Sequence, residues 1–126
     1  MGPLTDAKAI AFVLTRDRAA LKPFYSDTLG LTLLSEDEFA ATFDLNGATL
    51  RLSTVGDHMA APHPVIGWAV PDIVATTTAL AAKGVSFTIY PGLGQDALGI
   101  WTSPDGAVKV NWFADPEGNV LSLTQG

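Results

Sequence analysis

The chain has 126 residues, 48% of them hydrophobic and 16% charged, and its 13 acidic and 7 basic side chains leave a net charge of −6. That length suits one domain, or two half-sized modules sharing a core, and the composition excludes disorder. With no cysteine, disulfides, thiolate catalysis and zinc–sulfur sites are excluded, and without a basic stripe nucleic acid is disfavoured as a partner.

Ala9-Ile10-Ala11-Phe12-Val13-Leu14 is apolar at every position, which predicts a strand covered on both faces. Asp17 is placed to cap a helix whose apolar residues Leu21, Phe24, Tyr25 and Leu29 fall at helical spacing, with Gly30 as its stop. Pro23 lies too deep for a first-turn proline and predicts a kink. Leu31 to Leu34, Phe39 to Leu45 and Ala48 to Thr54 read as three strands, with Asn46-Gly47 as a tight hairpin turn. Val55 to Pro64 is rich in turn formers and breaks the pattern.

The pattern then repeats. Val65 to Val70 reads as a strand, and Asp72 caps a second helix stopped by Gly84. Val85 to Tyr90 is a predicted strand, Pro91 to Asp96 a glycine-rich loop, and Gly99 to Thr102 another strand. A closing hairpin turns at Asp115-Pro116-Glu117-Gly118-Asn119. Four residues past Gly47 and Gly118 stand Arg51 and Ser122, so the chain reads as one unit written twice. The predicted fold is α+β: one domain over 1–126, with module one about 7–55, a linker about 56–64 and module two about 65–125. The uncovered sheet face is expected to carry Ile10, Phe12, Leu14, Trp68, Val110 and Trp112. An apolar face needs a cover, which predicts curved mixed sheets enclosing a cavity and pairing of two copies in a homodimer.

No apolar run reaches the ~18 residues needed to span a bilayer, and Met1 to Lys8 lacks a basic-then-apolar leader pattern. A cytoplasmic protein with no membrane partner is the expectation.

Phe24-Tyr25 with Leu29-Gly30, the doubled strand–helix–three-strand pattern and Asp115-Pro116-Glu117-Gly118-Asn119 resemble the glyoxalase/bleomycin resistance/dioxygenase superfamily, also called vicinal oxygen chelate proteins. The resemblance spans about residues 7 to 125. It implies the two-βαβββ-module fold and a small-molecule ligand. It does not choose among lyases, isomerases, dioxygenases, thiol transferases and drug-sequestering proteins. Enzymes of that family hold a divalent metal by His and Glu on the first and last strands of each half. The resemblance maps those positions onto Ile10, Arg51, Ile66 and Ser122, none of them a usual ligand for such an ion. Segments 9–14, 48–54, 64–70 and 119–125 contain no His, Asp or Glu. The expectation is therefore a protein without metal, cofactor or catalytic residue.

The ligand-binding candidates are Phe12, Arg51, Trp68, Trp101, Trp112 and Ser122. A guanidinium at Arg51 suits a ligand carboxylate or phosphate, the structural alternative being a counter-ion to Asp44 or Asp57. Trp68, Trp101 and Trp112 suit stacking on a flat ring, the alternative being core filling. For Trp112 the resemblance adds a substrate contact three residues before the turn aspartate. His58 and His63 sit in the linker and read as solvated, with His63 the one group able to rescue an active site. Pro91 to Asp96 reads as a mobile flap rather than a phosphate cradle. Glu36-Asp37-Glu38 reads as solvated surface. The leading expectation is a metal-free binder of an apolar or aromatic molecule, such as a drug or secondary metabolite. The alternative is a lyase, isomerase or dioxygenase using an atypical metal site or none.

Overall fold

The computed structural model describes residues 2–126. The chain divides into two compact units, one ending at Met59 and the other running from Ala60 to Gly126. The first contains β1 (Ile10–Thr15), α1 (Arg18–Pro23), a π-helical turn over Phe24–Thr28, β2 (Leu33–Glu36), β3 (Ala40–Asp44) and β4 (Thr49–Thr54). The second contains β5 (Pro64–Ala69), α2 (Ile73–Ala82), β6 (Trp101–Thr102), β7 (Lys109–Ala114) and β8 (Val120–Gln125). Each unit carries a four-stranded mixed sheet, in the order β1-β4-β3-β2 and β5-β8-β7-β6. In both, the first strand runs parallel to the last and the other pairings are antiparallel. The repeat read from the sequence is therefore a repeat of topology.

Local chemistry accounts for the elements. The Asp17 carboxylate accepts the Ala20 N–H at 3.2 Å and that of Asp72 accepts the Ala75 N–H at 3.1 Å, which caps both helices. Pro23 has no N–H to donate, and the helix widens past it, with Leu29 N–H donating to Phe24 O at 2.9 Å. The expected kink is this π turn, and it still buries Leu21 and Tyr25 completely. Asn46 and Gly47 take φ of +60° and +105°, and Leu45 N–H closes on Ala48 O at 2.8 Å. Positive φ at both positions is the two-residue hairpin turn that matches strand twist. At the second hairpin the buried Asp115 carboxylate accepts Glu117 N–H, Asn119 N–H and the Asn119 side-chain amide at 2.9, 3.0 and 2.8 Å.

One face of each sheet forms a core. In the first unit Val13, Ala41, Phe43, Leu50 and Leu52 are buried along with Leu21 and Tyr25. The Tyr25 and Phe43 rings lie 6.1 Å apart. In the second, Phe113, Leu121 and Leu123 are buried, as are Ile73 and Thr77 of α2.

Two expectations are corrected. Val85 to Tyr90 is not a strand; Phe87 makes a single bridge to Phe113, and Thr88 N–H donates to Trp112 O at 2.7 Å. Pro91 to Asp96, expected as a flap, belongs to a loop knit around Gln95. Its side chain accepts Tyr90 N–H at 2.7 Å and donates to Thr88 O at 2.8 Å and Gly99 O at 2.7 Å. Asp96 accepts Leu98 and Ile100 N–H at 2.8 and 2.9 Å. The groups a regular strand would turn to a neighbouring strand are taken by Gln95 instead.

Candidate functional site

The side of each sheet away from its core is the open face, and register assigns its residues. In the first unit Phe12 of β1, Arg51 of β4, Thr42 of β3 and Ser35 of β2 stand in one cross-strand row. Val13, Leu52 and Phe43, the sequence neighbours in this row, are fully buried, so the row faces the other way. Phe12 is 59% exposed. Arg51 is half-buried, and its guanidinium reaches the Asp37 carboxylate at 3.9 Å. The counter-ion is thus Asp37, not Asp44 or Asp57.

Asp37 belongs to the turn read as solvated surface, and two of its carboxylates are tied down. Glu36 accepts Lys22 Nζ at 2.7 Å and lies 3.4 Å from Arg18 Nε, which fastens the β2 end to α1. The Lys22 hydrogen bond, with the Lys22 and Arg18 charges, lowers the Glu36 pKa. Asp37 accepts the Phe39 and Ala40 N–H groups at 2.8 and 2.9 Å, and these bonds chiefly lower its pKa, with Arg51 adding less.

In the second unit Gly67 of β5, Ser122 of β8 and Trp112 of β7 form the equivalent row. The next row holds Ala69, Thr124, Val110 and Trp101, so Trp101 and Trp112 share the open face. The Tyr90 ring meets Trp112 edge-on, with centroids 5.5 Å apart at 85°. A Cβ at Gly67 would lie 2.4 Å from Ser122 Oγ and 3.1 Å from Ser122 O. The bare glycine therefore lets β8 approach and leaves the Ser122 hydroxyl standing over β5. Among the described residues, the Trp101 and Trp112 indole N–H groups and the Ser122 and Tyr90 hydroxyls bond to no protein group.

Trp68 is a correction. It pairs with Leu123, in the row of the buried Asn111, and so lies on the core side, not with Trp112. Ile66 is another, since it pairs with the buried Leu121. A wholly apolar β5 alternates nothing, and so its face was not readable. Tyr90 as an aromatic partner of Trp112, and Asp37 and Thr42 beside Arg51, were missed because only register and the Gln95 loop bring them there. Gln95 itself stood within a stretch read for its glycines. His63 is exposed in the linker, its Nδ1 3.3 Å from Pro64 O.

The resemblance implies a divalent ion, which needs imidazole or carboxylate donors on the open faces. The open faces of β1, β4, β5 and β8 offer Ile10, Phe12, Thr49, Arg51, Ser53, Gly67, Ser122 and Thr124, with no imidazole or carboxylate among them. A guanidinium stands in the middle of β4 and repels a cation. Among the described residues no three His, Asp or Glu gather as a metal site. The residues do not fit the ion.

The family model of the Glyoxalase/Bleomycin resistance protein/Dioxygenase superfamily matches residues 9–123. Among solved structures, a member of that superfamily from Sphaerobacter thermophilus is 22% identical, with a TM-score of 0.74 over 98% of this chain and 99% of that one. A lactoylglutathione lyase from Agrobacterium tumefaciens is 17% identical, with a TM-score of 0.73 over 99% and 96%. The fosfomycin resistance protein FosX from Listeria monocytogenes is 11% identical, with a TM-score of 0.73 over 96% and 93%. No curated protein sequence matches the chain.

Proposed function

The chain belongs to the glyoxalase/bleomycin resistance protein/dioxygenase superfamily, and from that premise we propose that it is a metal-free binding protein for a small apolar or aromatic molecule. The observation that carries this reading is the second unit's open face, where Trp112 and Trp101 share one side with the Ser122 hydroxyl and their polar N–H groups are unused. Indole rings suit a flat apolar ligand, and a few free donors fix its orientation. Arg51 where a metal-binding relative needs a ligand supports the metal-free part. The contacts proposed for this ligand are Trp101, Trp112 and Ser122; Phe12 and Arg51, on the open face of the first unit, are candidate ligand contacts in their own right. Trp68 is not among them. Retention of a drug or secondary metabolite is one form of this function, which needs burial and no catalytic residue. The similar folds include both a lyase and a resistance protein, so fold by itself selects neither.

The test is a titration with 1-naphthol, followed by tryptophan fluorescence with and without EDTA. Saturable quenching that EDTA leaves unchanged, and that Trp112→Ala weakens by at least about tenfold, is expected. Quenching abolished by EDTA, or no saturation, would overturn the reading.

A further inference from the structure

We propose that the open face of the first sheet is a binding site for an aromatic carboxylate, seated on Arg51 and Phe12, and that Asp37 occupies the guanidinium when no ligand is bound. This inference deepens the binder reading above by naming the acid class and its competitor.

The guanidinium is under-used. Arg51 carries five N–H donors, and its one ion pair is a single long approach of 3.9 Å to Asp37 Oδ2. A well-formed guanidinium–carboxylate pair is shorter and two-pronged. Asp37 cannot come closer freely, because its Oδ1 is committed to the Phe39 and Ala40 N–H groups. The pair is therefore a loose placeholder. Its carboxylate is 58% exposed and returns to water at little cost when another acid arrives.

The neighbours define the acid. Phe12, next to Arg51 in register, offers a mostly exposed ring for an aryl group. Thr42, next to Arg51 on the other side, carries a hydroxyl that bonds to no protein group among the described residues and can donate to the same carboxylate. A planar fork beside an aromatic ring matches a planar aryl carboxylate. Phosphate dianions are disfavoured. Arg51 is the one cation of its cross-strand row, Arg18 and Lys22 beside the turn are held by Glu36, Asp37 stands 3.9 Å from Arg51, and the whole chain carries −6.

The experiment is calorimetric titration of the full chain with sodium benzoate, and with acetate and inorganic phosphate as comparators. Benzoate is expected to bind more tightly than either. Arg51→Gln should weaken benzoate by more than about tenfold, the scale of a lost charge-assisted hydrogen bond. Phe12→Ser should narrow the gap between benzoate and acetate. Asp37→Asn should tighten benzoate about two- to fivefold, the factor that removing a half-exposed ion pair releases. A gain of affinity cannot come from a damaged fold, so this variant guards the result. Benzoate affinity unchanged in Arg51→Gln, phosphate equal to benzoate, or weaker binding in Asp37→Asn would each overturn the proposal. Quenching by neutral 1-naphthol does not involve Arg51, so failure here is distinguishable from failure of the binder reading.

Discussion

Asn111 is a half-satisfied polar residue buried in the second unit. Its side-chain amide donates to Thr77 Oγ1 at 2.8 Å, both residues are fully buried, and its carbonyl oxygen Oδ1 has no partner among the described residues. A half-satisfied polar pair gives little net stability, while breaking one side of it exposes the full desolvation cost. Asn111→Ala alone is therefore expected to cost about 2 kcal/mol, whereas Asn111→Leu with Thr77→Val should fall within about 1 kcal/mol of the parent or exceed it. Urea denaturation of the parent and the two variants checks this. At this scale the sequence was a partial guide. Arg51 and Trp112 could be placed on the open faces because polar or large residues alternate with buried ones on β4 and β7. Trp68 could not, since every residue from Val65 to Val70 except Gly67 is apolar and either face was open to it. Asp37 could not be picked as the partner of Arg51 among several carboxylates, because only the bend of the β2–β3 turn decides it.

The loop around Gln95 is the element on which the aromatic face depends. Three hydrogen bonds of 2.7–2.8 Å from one side chain hold Thr88, Tyr90 and Gly99 together, and Tyr90 is the ring that braces Trp112. Gln95→Ala removes all three at about 1 kcal/mol each. It should lower stability by about 2–3 kcal/mol, speed amide exchange at Tyr90, and weaken 1-naphthol binding. Hydrogen exchange read residue by residue checks the locality of the change. Elements with strong punctuation were legible: Asp17 and Asp72 as caps, Asn46-Gly47 and the Asp115 turn as hairpins. Those signals act over four or five residues, and so local sequence contains them. Val85 to Tyr90 was misread because its apolar alternation resembles a strand, while the side chain that competes for its backbone, Gln95, carries no turn signal of its own.

Across the whole molecule the doubled topology was legible, since periodicity and turn spacing recur over half the chain. What covers the open faces was not, because patterning reports an apolar surface and never its occupant. Ile10 is 52% exposed and Phe12 59% exposed on β1. Apolar exposure of this kind predicts a homodimer. Native mass spectrometry at micromolar concentration should give a mass twice that of the chain. A monomer there would show that the apolar faces need no second copy.

The closure of each sheet within its own unit also bears on synthesis. β1 waits only for β4 to find its parallel neighbour, and β2 and β3 lie between them, so every pairing of the first sheet is available once Thr54 has been made. No strand in that sheet waits for a residue beyond the linker. Chains emerge from the ribosome N-terminus first and tend to fold in units as they do. The first half of this protein can hydrogen-bond its sheet while the second half is still being translated, which spares β1 a long search for a distant partner and shortens the time its apolar edge lies open to other nascent chains.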